Sequence, residues 1–145
     1  MEKELYAVKR LSEYLFLGTL GGILYYSFEM LFRGFSHWSM FVLGGICFLF
    51  FAQQGIWTEW EAPLWKQVGW CVLFVTAAEF ITGIIVNKLM GWHVWDYTDQ
   101  PFQIMGQICL PFTVIFSGLC AAGILLSGYL LHFLYGEKHP HFHVL

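Results

Sequence analysis

Four long apolar segments limit how this chain can fold. They run roughly over residues 14–33, 38–56, 67–90 and 104–135. Each is near or above the roughly 20 residues an α-helix needs to cross a hydrocarbon core. A segment in lipid must satisfy its own backbone, so spanning helices are the expected form. Hydrophobic residues make up 58% of the chain and charged residues 12%, against about 25% charged in an average soluble domain. A chain of 145 residues has too little interior to hide this surface, and lipid must cover the rest. The expected fold is an all-α integral membrane protein with four transmembrane helices arranged as two tandem helical hairpins. Residues 1–136 read as a single transmembrane domain, with hairpin repeats at about 14–56 and 67–135, and residues 137–145 as a mobile C-terminal tail. The fourth segment is too long for one straight span, since at about 1.5 Å per residue it would reach about 48 Å. Pro111 is expected to divide it, because proline lacks a backbone donor and clashes with the preceding turn. Residues 100–110 would then form a short helix or a re-entrant piece before the last span.

The connections and charges fit this plan. "RGFSHW" (33–38) is a tight link, and "WTEWEAPLWKQ" (57–67) reads as an interfacial belt of tryptophans beside charges. Lys3, Lys9, Arg10, Lys66 and Lys138 fall on one side, and Arg33 and Lys88 on the other. That bias predicts a multi-pass protein of the cell membrane with both termini in the cytoplasm. The formal charge of −3 is scattered. No basic patch is present, so nucleic acid is excluded as a partner. Cys47, Cys71, Cys109 and Cys120 all lie in apolar runs without a CxxC spacing, and we read them as small packing residues. The charged start "MEKELYAVKRLSEY" carries no signal-peptide pattern. No Walker, HExxH or GxSxG motif occurs, so no catalytic residue, metal or cofactor is assigned. Any ATP that drives the protein would be bound by a separate ATPase subunit. The histidines of the tail, His139, His141 and His143, could bind a metal weakly, but a mobile terminus is the preferred reading.

The two halves resemble each other. "LGGICFLFF" (43–51) aligns with "MGQICLPFT" (105–113) at Gly44/Gly106, Ile46/Ile108, Cys47/Cys109 and Phe50/Phe112. Upstream, Glu29 precedes Arg33, Gly34 and Trp38, and Glu79 precedes Gly83, Lys88 and Trp92. We read this as a duplicated hairpin, which implies a parallel repeat about an axis along the membrane normal. Chance likeness between apolar helices is the competing explanation.

Glu79 is the sharpest feature. It stands inside an apolar span, where a charged side chain costs about 2.5–3.5 kcal/mol on insertion scales. It must be neutral, paired or facing water. Thr76, Glu79, Thr82, Gly83 and Asn87 recur at helical spacing and form a polar stripe facing protein or a cavity. A structural hydrogen bond to a neighbouring helix would also explain it. Glu29 and Arg33 form an i,i+4 pair in which each lowers the other's burial cost. Gly18, Gly22, Tyr25 and Tyr26 share that face, and the glycines point to a close helix contact. In "GWHVWDY" (91–97), Asp96 would hold a cation or fix Arg33 or Lys88. Trp92, Trp95 and Tyr97 are either interface anchors or cation-binding rings. Gln107 would satisfy backbone freed by Pro111 or contact a substrate. His37 and His93 sit beside Trp38 and Trp92 as repeat equivalents, and a ligand role for them is the weaker reading.

The motifs "FEMLFRGFSHWSMFVLGGICF", "EFITGIIVNKLMGWHVWDY" and "GQICLPF" resemble the ABC-transporter type IV (permease-like) family of small multi-span membrane proteins. The resemblance covers residues 10–135. It implies a transporter-like membrane protein, with matching positions at Glu29, Arg33, Gly34, Trp38, Glu79, Gly83, Asn87, Gly91, Trp92, Trp95, Asp96, Tyr97, Gly106, Gln107 and Pro111. The leading expectation is therefore a small transporter whose substrate-binding or coupling residues are Glu29, Arg33, Glu79, Asn87, Trp92, Trp95, Asp96 and Gln107. Its partners would be the lipid bilayer, a small substrate or ion, and a second copy joined through the glycine faces. Two alternatives stand beside it. One is an intramembrane enzyme using Glu79 and Asp96 on a lipid-like substrate. The other is a non-catalytic assembly or scaffold protein.

Overall fold

The computed structural model describes residues 1–34, 36–58 and 60–136. The predicted mobile tail, with its three histidines and Lys138, lies outside the described residues. Four helices follow one another: α1 (Glu2–Arg33), α2 (Trp38–Trp57), α3 (Leu64–Gly83) and α4 (Leu110–Tyr135). All four are long and apolar enough to span a membrane, and among the described residues there is no strand. The protein is thus an all-helical, multi-pass membrane protein. α3 runs without interruption into a π-helical segment, Ile84–Leu89.

α1 begins twelve residues before the predicted span. Its 32 residues would measure about 48 Å, well beyond a hydrocarbon core of about 30 Å. Most of its first turns are exposed, and Glu2 and Glu4 sit where the positive helix N-terminus favours acids. It ends at Gly34, whose φ of 78° takes the left-handed form that glycine adopts without cost. Pro111 does not divide a helix. It lies in the first turn of α4, where its missing N–H is an orphan in any case.

α2 is the central helix, packing against α1, α3 and α4. The α1–α2 contact is made by missing side chains. A Cβ on Gly45 would stand 2.7 Å from the Gly18 carbonyl oxygen, and one on Gly22 would stand 2.7 Å from that of Phe41. The glycine faces assigned above to a contact between copies are therefore spent inside the chain. α3 packs on α4, and on α2 through the stacked rings of Phe50 and Phe74, 4.0 Å apart. α1 and α4 barely meet. The C-terminal end of α4 meets the N-terminal half of α1, where Phe16 packs on Tyr135.

Cys47, Cys71 and Cys120 are buried in the core and Cys109 is buried just before α4, all as free thiols. The tryptophan belt holds in part. Trp57 and Trp65 face outward, but Trp60 is 2% exposed and lies against Gly55, where any side chain would collide with its ring.

Candidate functional site

Glu29, Glu79, Asn87 and Gln107, all buried, gather at the end of the bundle where α1 and α3 finish and α2 and α4 begin. Residues 91–109 close that end. They form a chain of turns with an antiparallel bridge between Ile104 and Ile108, and of the two forms expected for residues 100–110, a short helix or a re-entrant piece, the short helix is absent. His93, Phe102 and Met105 take positive φ values between 52° and 53°. Non-glycine residues held there cost of order 1 kcal/mol or more each, and persist only when the surroundings over-determine them.

Asn87 and Gln107 supply that determination. The π-helical segment places Asn87 on the inner face of α3's continuation. Its Oδ1 accepts from Val94 N at 2.6 Å and from Trp95 N at 3.3 Å. Its Nδ2 donates to Gln107 Oε1 at 2.8 Å. Gln107 Nε2 donates to the Met105 carbonyl at 2.9 Å, and Trp95 Nε1 donates to the Gln107 carbonyl at 2.9 Å. Gly83 makes the room: a Cβ there would lie 3.0 Å from Trp95 Cζ2 and 3.0 Å from Gln107 Cβ. One amide on the π-helical continuation of α3 thus latches two points of the loop.

Beneath the latch lie the acids. Glu79 is 3% exposed and Glu29 is 6% exposed. Arg33 Nη1 donates to Glu29 Oε2 at 2.8 Å, and Arg33 Nη2 donates to the Val94 carbonyl. The loop is therefore tied to α1 as well as to α3. Glu79 receives the Tyr97 hydroxyl and stands in the field of Glu29. Among the described residues, no cation forms an ion pair with Glu79. Burial, with Glu79 alongside, pushes the Tyr97 phenol well above its ordinary pKa, so it remains a donor. Its ring stacks on Phe112 at 4.8 Å. The Tyr25 hydroxyl lies in the field of both carboxyls.

The structure therefore brings Glu29, Arg33, Glu79, Asn87, Trp95 and Gln107 to one end of the bundle. Two of the expected residues stand apart. Trp92 is 40% exposed and packs on the outer side, its ring 5.1 Å from His37 and 5.7 Å from Trp38. Asp96 is exposed. It holds neither Arg33, which binds Glu29, nor Lys88. The backbone N–H of Thr98 donates to its Oδ1 at 2.9 Å and keeps its carboxyl below the usual range. The pairing of Glu79 with Asp96 that an intramembrane acid–base enzyme would need is not assembled, because Trp95 and Tyr97 turn inward and leave Asp96 outside. His37 caps α2 by accepting from Ser39 N at 3.2 Å.

Tyr97 and Glu13 carry more than their local sequence suggests. Tyr97 read as an interface anchor, because no local pattern tells which acid a loop phenol will reach. Glu13 is 1% exposed at the opposite end, 2.9 Å from Arg10 Nη1. Its i,i+3 spacing from Arg10, at the onset of the apolar run, was the available signal. Nearby, Gln54 Nε2 donates to Gln67 Oε1 at 3.0 Å, and the Tyr14 hydroxyl donates to Gln53 Oε1 at 2.6 Å.

Together these features define a four-span helical membrane protein with a capped pair of buried acids. Over residues 12–140 the chain matches the family described as "Putative ABC-transporter type IV", and it belongs to that family. Comparison with curated proteins and with solved structures found no match.

Proposed function

We propose that this chain is a small permease-like protein whose internal polar site is built on Glu29 and Glu79, and that the site takes up a proton or cation during transport. Glu79 carries this reading. It is a carboxyl buried within a span, with a tyrosine hydroxyl as partner and a second acid nearby. Such a group must be neutral, paired or reached by water, and intramembrane acids commonly mark proton or ion pathways. Glu29 differs, because Arg33 already balances it. The two acids occupy corresponding places in their hairpins, which supports descent from a duplicated unit. Both termini face the cytoplasm in this arrangement, within the cell membrane. A separate ATPase subunit supplies any ATP-driven step, and a second copy completes a bundle that is thin at four helices.

One observation favours a second reading, a non-catalytic assembly protein. The amides of Asn87 and Gln107 are spent on partners within the chain. Infrared difference spectroscopy in lipid, with Glu79→Gln as reference, separates the two. Under the transport reading, a carboxyl band titrates within the pH range where the protein stays folded, disappears in Glu79→Gln, and proton-driven flux is lost with it. A band that never titrates, with only stability changed in the variant, would sink proton coupling in favour of the assembly reading.

A further inference from the structure

The geometry points to the cleft between α1 and α4 as the binding site for a lipophilic organic cation, its hydrocarbon chain in the cleft and its amine head reaching Glu79 past Tyr25. This deepens the carboxylate-site reading and rests on it. The cleft encloses about 300 Å³ where α1 and α4 barely meet, with α2 as its floor. Leu24 and Phe28 of α1, Phe48 and Phe51 of α2, and Leu119 and Leu126 of α4 supply its walls. That volume is at the small end of the roughly 300–1,000 Å³ typical of ligand sites. It suits one hydrocarbon chain better than the paired chains of a phospholipid.

Apolar walls within a membrane name no ligand by themselves, since lipid tails are equally apolar. The polar end does. Tyr25 lines the cleft and packs on Phe116, with ring centroids 6.2 Å apart, while its hydroxyl stands in the field of both acids. Glu29 lies one turn beyond Tyr25 on α1. Val75 also lines the cleft, and Glu79 lies one turn beyond it on α3. Two helices thus lead from apolar wall to carboxyl. Arg33 balances Glu29, whereas among the described residues Glu79 has a phenol and no cation as partner. A cationic head supplies the missing charge, whereas an anionic head meets two acids. The aromatic faces of Tyr25, Phe28 and Phe116 add cation–π attraction.

The test uses the full chain in phosphatidylcholine nanodiscs and a photoreactive dodecylamine, with crosslinks located by peptide mass spectrometry. Labels should concentrate on cleft residues of α1 and α4. Unlabelled dodecylamine should compete about tenfold or more better than dodecanoate. Ala122 lines the mouth and is exposed, so Ala122→Trp should block labelling without disturbing the helical fold. Glu79→Gln should weaken binding about tenfold. Labels spread evenly over lipid-facing residues would overturn the site, even if Glu79 proved to titrate and couple to transport. Cleft labelling indifferent to head-group charge and to Glu79→Gln would overturn the assignment of a cation.

Discussion

Asn87→Ala is expected to destabilise the protein by about 3 kcal/mol or more and to release residues 94–107 from the bundle. The substitution removes one side chain but strands three groups: the N–H of Val94, the N–H of Trp95 and the Oε1 of Gln107. A buried polar group without a partner costs about 1–3 kcal/mol, and the site has little room to collapse around the loss. The loop also holds several residues in left-handed conformations, which relax once the latch is gone. Denaturant titration in detergent reads the first effect, and hydrogen exchange of residues 94–107 reads the second. Asn87→Asp keeps the acceptor for the two backbone N–H groups and loses the donation to Gln107, so it should fall between wild type and Asn87→Ala. Gln107→Ala in the Asn87→Ala background should cost less than it does alone, because the two amides share a bond. Asp96→Ala serves as the control and should leave exchange in the latch near its wild-type level. Equal loss from Asn87→Ala and Asp96→Ala would show that the amide network does not hold the loop.

Gly45→Leu should be at least as damaging, at about 3 kcal/mol, and for an unrelated reason. The new Cβ would stand 2.7 Å from the Gly18 carbonyl oxygen. Overpacking usually costs about 1–3 kcal/mol because side chains move aside, but here the obstacle is backbone. The α1–α2 pair must separate along its length. That would shift Tyr25 and Glu29 relative to α3, so stability and the Glu79 environment should change together. Gly69→Leu is the matched control, since a Cβ there meets open space. Thermal unfolding in detergent compares the two variants. Equal midpoints would mean that α1 and α2 do not approach as closely as the structure places them.

The character of this protein is written in single-residue and helical-period patterns. Long apolar runs require helices, because lipid offers backbone groups no alternative partner. Glu79 stands out because a lone acid in such a run is costly, and the glycines at Gly18 and Gly22 announce a close contact. These signals are local, so the chain alone makes them legible. The destination of each contact is not local. The same glycines could have met another copy, and only the packed hairpin reserves them for α2. Asp96 and Tyr97 are neighbours in the chain, yet one points out and the other binds Glu79, because the loop's path is set by Asn87 and Arg33 reaching into it from two helices. The latch depends on a π-helical segment that turns Asn87 inward, and on the empty space at Gly83 that admits Gln107. The amino-acid sequence by itself determined the membrane, the four helices and the presence of buried acids, since those follow from hydropathy and backbone chemistry. Tertiary structure alone decided which groups meet those acids and how the cleft reaches them, because these contacts depend on helices and a loop far apart in the chain.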